Sequence, residues 1–302
     1  MNFSRRTFIQ NSALTAAGIS LAQKSLLANI FSQDAPYKML PLRNNVGYFT
    51  ERGGTIGWMI SKNGIVIVDT EFPDQSKHLI EEIKKQSDRE IDLLINTHHH
   101  GDHTAGNIAF KGIVKTVLAH ENSKKNQMRV AKERGQEESQ LYPDTTFEKE
   151  WSKKIGEETI SLKYFGPAHT DGDALIHFEE ANIVHMGDLV FNRRFPYIDK
   201  SAGASIKNWI QVLEKAQKAY DKNTIFIFGH SGDGYDVVGN MSDLKAKQHY
   251  LSRLLEVVDA DIKSGKSEED IMKLQTISGA GEWKGEGIER NLTAAYQELT
   301  ED

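Results

Sequence analysis

The segment Thr97-His98-His99-His100-Gly101-Asp102-His103 places four histidines and a carboxylate within seven residues, directly after the apolar run Ile91-Asp92-Leu93-Leu94-Ile95. Neutral imidazoles and carboxylates suit zinc and similar divalent ions. A polar cluster this dense, at the end of a predicted buried strand, has no packing rationale and points to metal-assisted attack by water. Alternating residues of an extended segment point the same way, so His98 and His100 can reach one ion together. Asp102 and His103, one turn further on, can address a second ion beside it. Two ions about 3.5–4 Å apart can share a bridging hydroxide whose pKa is lowered toward neutrality. Zinc takes four or five ligands, so such a site needs about three more from elsewhere.

The chain offers further candidates where strands give way to loops. Gly166-Pro167-Ala168-His169-Thr170 follows a strand ending at Phe165, His185-Met186-Gly187-Asp188 follows Ile183-Val184, and Phe228-Gly229-His230-Ser231-Gly232 follows Thr224 to Ile227. Each His or Asp stands close to a glycine, where a tight turn lets the side chain project into a common cleft. A lone histidine beside a turn is more often structural than a ligand; the ordered set is the stronger signal.

With these motifs the chain resembles the metallo-β-lactamase superfamily over essentially its whole mature length. The resemblance rests on T-H-x-H-x-D-H at Thr97 to His103, G-P-x-H-T at Gly166 to Thr170, G-D at Gly187-Asp188 and G-H at Gly229-His230. It implies that His98, His100 and His169 bind one metal, that Asp102, His103 and His230 bind a second, and that Asp188 bridges both. The implied cofactor is two zinc ions, with iron or manganese as alternatives. The implied fold is α+β, a four-layer αββα sandwich of two mixed β-sheets flanked by helices. Asp102 is expected to be catalytic as well as a ligand, orienting the nucleophile and shuttling a proton to the leaving group.

The expected reaction is attack by the metal-bridging hydroxide on an ester, thioester, lactone or related small-molecule substrate. Asp188 in place of a cysteine departs from the common cysteine-containing β-lactamase branch. An aspartate bridge is typical of thioesterase-like, lactonase-like and phosphodiesterase-like members. β-Lactam hydrolysis is the alternative, and a mononuclear iron oxidoreductase resembling sulfur dioxygenases is a further one. His100, where flavodiiron proteins carry an acidic ligand, favours hydrolysis. The segment Asn192 to Tyr197 is expected to line the cleft, where Arg193 or Arg194 could hold a substrate carboxylate through paired hydrogen bonds or could be plain surface charges. Asp69 is a candidate to support the ligands from behind, or a simple turn former; Thr170 and Asp173 are weaker candidates for support. His99 should pack behind the site, and His78, His120, His177, His185 and His249 lack a motif context and read as structural or surface residues.

The elements that must position these groups are legible as alternating strand and helix patterns. Strands are expected at Val46 to Thr50, Thr55 to Ile60, Gly64 to Asp69 and Ile91 to Asn96, after an irregular lead-in over 23–43. A helix from Pro73 to about Ser87 and another from about Glu121 to Arg134 flank a strand near Val114 to Ala119. The second half repeats the theme with strands at Ile160 to Phe165, Ala174 to Phe178, Ile183 to Met186 and Thr224 to Phe228. Helices are expected over Ser205 to Tyr220, Ser242 to Ser264 and Glu289 to Glu298. Two sheets packed face to face with helices outside would satisfy both halves.

Composition sets the remaining bounds. A chain of 302 residues with 38% hydrophobic and 26% charged residues can build a substantial core, and a net charge of −6 argues against nucleic acid as a partner. The absence of cysteine excludes disulfides and restricts any metal site to His, Asp and Glu. Ser4-Arg5-Arg6-Thr7-Phe8-Ile9-Gln10 reads as a twin-arginine signal, followed by the apolar run Ala13 to Ala22, with Ser20-Leu21-Ala22 offering a cleavage site. Residues 1–22 are therefore expected to be a signal peptide and 23–302 the fold domain, of a periplasmic or otherwise exported protein. The apolar run is too short to span a bilayer stably, so no stable membrane insertion is expected after cleavage. The expected partner is a small-molecule substrate.

Overall fold

The computed structural model describes residues 36–301, so the expected signal segment 1–22 lies outside the described residues. The chain divides into the units Met1–Met39 and Leu40–Asp302, and the site architecture belongs to the second. One sheet has seven strands in sequential order: β1 (Lys38–Arg43), β2 (Val46–Thr50), β3 (Ile56–Ser61), β4 (Gly64–Val68), β5 (Leu93–Asn96), β6 (Val117–His120) and β7 (Thr145–Phe147). β2 to β4 form an antiparallel meander, whereas β4 to β7 run parallel. The second sheet has six strands, in the order β15 (Val238–Gly239), β13 (Ile225–Ile227), β11 (Ile183–His185), β10 (Leu175–Phe178), β9 (Glu158–Lys163) and β8 (Glu150–Ile155). Only β11 and β13 pair in parallel there. A separate two-stranded ribbon joins β12 (Phe191–Asn192) to β14 (His230–Ser231) in parallel.

Strand alternation builds the core. Val66 and Val68 of β4, Ile95 of β5, Ile160 and Leu162 of β9, Ile176 and Phe178 of β10 and Ile227 of β13 share one apolar cluster between the sheets. Their neighbours Ile65, Ile67 and Leu94 are equally buried on the opposite face, which is why these strands read as continuous apolar runs. α1 (Pro73–Gln86) starts with proline at its first turn, where the missing N–H costs nothing, and buries Leu79, Ile80 and Ile83. The four-residue α2 (Gly101–Thr104) follows β5, and α3 (Glu121–Glu133) follows β6. On the outer face of the second sheet, Leu175, Val184, Phe226 and Phe228 join Trp209 and Leu213 of α4 (Ile206–Ala219) with Leu244, Tyr250 and Leu251 of α5 (Met241–Lys263). Behind these lie α6 (Glu268–Met272) and α7 (Ile288–Thr300), which add Ile271, Leu292 and Ala295. The result is an α+β sandwich of two mixed sheets flanked by helices.

Besides the short strands β7, β12, β14 and β15, which the sequence reading lacks, two longer strands depart from it. The lead-in expected through residue 43 becomes strand β1 from Lys38. β8 was not expected at all: with Ser152, Lys153 and Lys154 exposed it lacks a hydrophobic stripe. It is an edge strand, and exposed lysines there discourage pairing with another chain.

Candidate metal centre

The loops that carry the nominated residues leave the C-terminal ends of β5, β9, β11 and β13, and the two sheets bring them to one place. All seven residues meet, in two groups: His98, His100, His169 and Asp188 in one; Asp102, His103 and His230 in the other. In the first group His98 Nε2 and His169 Nε2 each stand 3.0 Å from His100 Nδ1. Asp188 Oδ2 lies 3.7 Å from His98 Nε2 and 3.4 Å from His169 Nε2. In the second group His230 Nε2 is 3.2 Å from Asp102 Oδ2 and 3.4 Å from His103 Nε2. Asp188 turns its other oxygen there, Oδ1, at 3.1 Å from His103 Nε2 and 3.5 Å from His230 Nε2.

The outward-facing ring nitrogens decide the tautomers. His169 Nδ1–H donates to the Tyr197 carbonyl (2.7 Å), and His100 Nε2–H donates to Asp199 Oδ2 (2.9 Å). His98 Nδ1 lies 3.0 Å from Thr97 Oγ1, whose own hydrogen goes to Asp69 Oδ2 at 2.7 Å, so the imidazole must be the donor. Three bare nitrogen lone pairs therefore converge in the first group. Burial, with the charge of nearby His103, drives His98 well below the ordinary histidine range, and burial holds His169 at about 3, so these rings are neutral.

The second group carries charge. Burial alone would push the Asp188 carboxyl up, but the charges of His230 and His103 hold it well below the usual carboxylate range. Burial would likewise lower His230, yet Asp188 and Asp102 lift it to about 9. His103 donates from Nδ1 to Asp69 Oδ2 at 2.7 Å and is also raised, burial being outweighed by Asp188, Asp102 and Asp69. Protons on these two rings balance carboxylates that a cation would otherwise balance.

This donor set fits a pair of divalent metal ions. Asp188 Oδ1 is buried and has no hydrogen-bond partner among the described residues, although two imidazoles stand at ion-pair distance. Converging neutral lone pairs, each fixed by a hydrogen bond on the far side of the ring, are what ligation requires. Two glycines keep the cavity clear: a Cβ at Gly54 would enter the His103 ring, and one at Gly229 would overlap Asp188 Oδ1.

The supporting residues do distinct jobs. Asp69, in the left-handed region at φ 64°, accepts from Thr97 N–H (2.8 Å), Thr97 Oγ1–H and His103, tying the β4 end to the histidine segment. Asp173 accepts from the backbone and hydroxyl of Thr170 and is pushed up to about 8 by burial, propping the loop that carries His169. His185 donates from Nε2 to the Thr55 carbonyl (2.9 Å) and accepts from Gly187 N–H (3.1 Å), which fixes the turn presenting Asp188. His99 is buried with its Nε2 3.6 Å from Asp199 Oδ2, behind the first group. His120 caps α3, His78 pairs with Glu51, His177 packs on Tyr220 and His249 reaches the Gly279 carbonyl.

Arg193 is not free to clamp a substrate. Its Nη1 binds Asn192 and Asp243, each at 2.9 Å, and its Nε lies 3.3 Å from Glu282. Its guanidinium also sits over Tyr235 and Trp283. Arg194 is exposed, and its backbone bridges to Lys284.

Two contributors, Asp199 and Lys247, escaped the sequence reading, while Tyr197 falls at the end of the segment expected to line the cleft. Asp199 orients His100 across 99 residues of chain. Tyr197 lays its ring 5.3 Å from His100 and is 42% exposed, so it walls the mouth of the first group. Lys247 of α5 is fully buried with no hydrogen-bond partner, its Nζ 4.5 Å from the Trp209 ring, 5.3 Å from Tyr250 and 5.4 Å from Phe191. Two of those rings back the ligands: Phe191 stacks on His230 at 5.1 Å and Trp209 lies 5.7 Å from His169. A lysine on an amphipathic helix reads as solvent-facing, and only alternation against distant aromatics could have flagged it.

The family model described as Metallo-beta-lactamase superfamily matches residues 50–230, an interval that closes on His230. A Metallo-beta-lactamase type 2 from Bacillus sp. (strain 170) is 24% identical over 229 residues, covering 73% of this chain and 86% of that protein. A Metallo-beta-lactamase type 2 from Elizabethkingia meningoseptica is 21% identical over 247 residues, covering 76% and 89%. Among solved structures, a metallo-beta-lactamase from Pontibacter korlensis superposes with a TM-score of 0.57 at 21% identity, over 72% of this chain and 99% of that one. A double mutant of the sec-alkyl sulfatase PisA1 superposes with a TM-score of 0.68 at 13% identity, over 87% of this chain; the chain spans 50% of that protein.

Proposed function

The chain belongs to the metallo-beta-lactamase superfamily, and from that premise we propose that it is a binuclear zinc hydrolase acting on an ester, thioester, lactone or related small molecule. The observation that carries this reading is the division of Asp188: one oxygen faces the first group and the other the second. When bound, a pair of zinc ions supplies an activated water and a Lewis acid for the oxygen on which charge develops. His98, His100 and His169 would hold one ion, Asp102, His103 and His230 the other, and Asp188 both. Asp102 is the residue placed to move a proton. Its side chain is 34% exposed while its Oδ2 contacts His230. Burial would raise its carboxyl, but His103 and His230 hold it below the ordinary range, so it is an ionised acceptor open to solvent.

The test is a panel of thioester, lactone, carboxylic ester, phosphodiester and β-lactam substrates, with zinc and iron measured on the same sample. Hydrolysis within the ester group by protein holding about two zinc equivalents is the expected outcome. β-Lactams belong in the panel because relatives bear that name. Cleavage of β-lactams alone would replace the reading, and one iron without hydrolysis would overturn it in favour of dioxygen chemistry.

We also propose that the enzyme is exported: Ser4-Arg5-Arg6-Thr7-Phe8-Ile9-Gln10 has the twin-arginine pattern, and that route carries folded proteins, so a metal site could be loaded before transport. Residues 1–30 fused to a reporter should direct export, and Arg5→Lys with Arg6→Lys should block it. Undiminished export of the double variant would refute the assignment.

A further inference from the structure

A cavity of about 430 Å³ opens beside the first metal group, with His100, Tyr197, Phe72, Arg129, Arg134 and Gln140 among its lining residues. It touches a nominated ligand directly, so a substrate whose reacting centre sits at the metals has this space next to it.

The charges around it are uneven. Arg129 is spent on Glu133, whose Oε1 lies 3.1 Å from its Nη1. The Asp199 carboxylate is occupied by His100, the Ser201 hydroxyl and the Ala202 N–H. Arg134, just past the end of α3, has no hydrogen bond or ion pair from its guanidinium among the described residues, and neither has Arg290 near the start of α7. Arg290 instead places its guanidinium 5.7 Å from the Tyr197 ring. Arg134 lines the cavity together with Tyr197, whereas Arg290 is outside its lining and meets it only through the Tyr197 ring. Both arginines are exposed, so their guanidinium groups are open to a solute that enters beside Tyr197. A planar guanidinium without a partner is matched to a carboxylate, which it can grip through two parallel hydrogen bonds.

We infer that this cavity receives a carboxylate-bearing arm of the substrate, with Arg134 in its lining and Arg290 against the Tyr197 ring as the residues that select it. The inference rests on the hydrolase reading for its location but not for its test. Binding of two non-hydrolysable probes to the metal-loaded protein is measured by calorimetry: N-butylsuccinamate, which carries the carboxylate, and the neutral N-butylbutanamide. The expected result is a preference of about tenfold or more for the anionic amide. That preference should fall in each of Arg134→Gln and Arg290→Gln and vanish in the double variant, with zinc content unchanged. The matching esters, mono-4-nitrophenyl succinate and 4-nitrophenyl butyrate, should show the same contrast in KM and little in kcat. Equal binding of the two amides, or a preference that survives in the double variant, would overturn the inference. An intact, arginine-dependent preference without turnover of either ester would support it while counting against the hydrolase reading.

Discussion

Asp188→Ala is expected to lower kcat/KM by about 1000-fold or more, equivalent to about 4 kcal/mol of transition-state stabilisation. The side chain is the one donor that faces both groups, at 3.4 Å from His169 through Oδ2 and 3.1 Å from His103 through Oδ1. Losing a hydrogen bond that merely supports a ligand costs roughly 10–100-fold in metal affinity, and removing a shared ligand should exceed that for both ions. Metal titration of the purified variant checks the cause: two weakened sites, not one. Asp188→Asn separates charge from shape, since it keeps an oxygen donor but cannot balance two cations with both atoms. Retention of two tightly held zinc ions and near-normal turnover in Asp188→Ala would sink the binuclear reading.

Gly229→Ala should be nearly as damaging, although the residue carries no functional group. A Cβ there would overlap Asp188 Oδ1 and press on the Gly187 carbonyl group, 2.9–3.0 Å away. The backbone has little room to yield: Gly229 N–H donates to Gly187 O at 2.8 Å, and Gly229 O accepts from Thr55 N–H at 2.9 Å. Gly187 itself sits at φ 50°. The carboxylate must therefore swing away from His103 and His230. We expect zinc content to fall toward one equivalent, activity to drop by about 100-fold and overpacking to cost about 1–3 kcal/mol in stability. Metal analysis with thermal unfolding reads both effects. Two zinc equivalents at wild-type melting temperature would show that the close approach is not what shapes the site.

The contrast between these two residues and others shows what a sequence can disclose about such a site. His98, His100, His169, Asp188 and His230 were legible because each is a ligand-type residue beside a glycine or at the end of an apolar strand, so local pattern and chemistry coincide. β4 and β5 were legible for a related reason, since both faces are covered and their apolar runs are unbroken. Asp199 was not, because its role exists only through the bond to His100, and nothing near it in sequence marks an acceptor. Arg193 misled in the other direction: beside the cleft it looked available, yet Asp243 and Glu282 come from distant elements to claim it. β8 carries its pairing in the backbone and shows solvent a charged face, so its side chains resemble those of a loop.

The aromatic wall around Lys247 gives the centre an optical voice. Trp209 is fully buried, donates its indole N–H to Leu189 O at 3.0 Å, and has its ring 4.5 Å from the Lys247 amine and 5.7 Å from the His169 ring. Among the described residues it is the one tryptophan whose ring meets that of a nominated metal ligand. Whatever changes the charge on His169 changes the electric field at an indole already polarised by a neighbouring amine. Occupancy of the first group should therefore shift the intrinsic ultraviolet emission of the protein, with no label required.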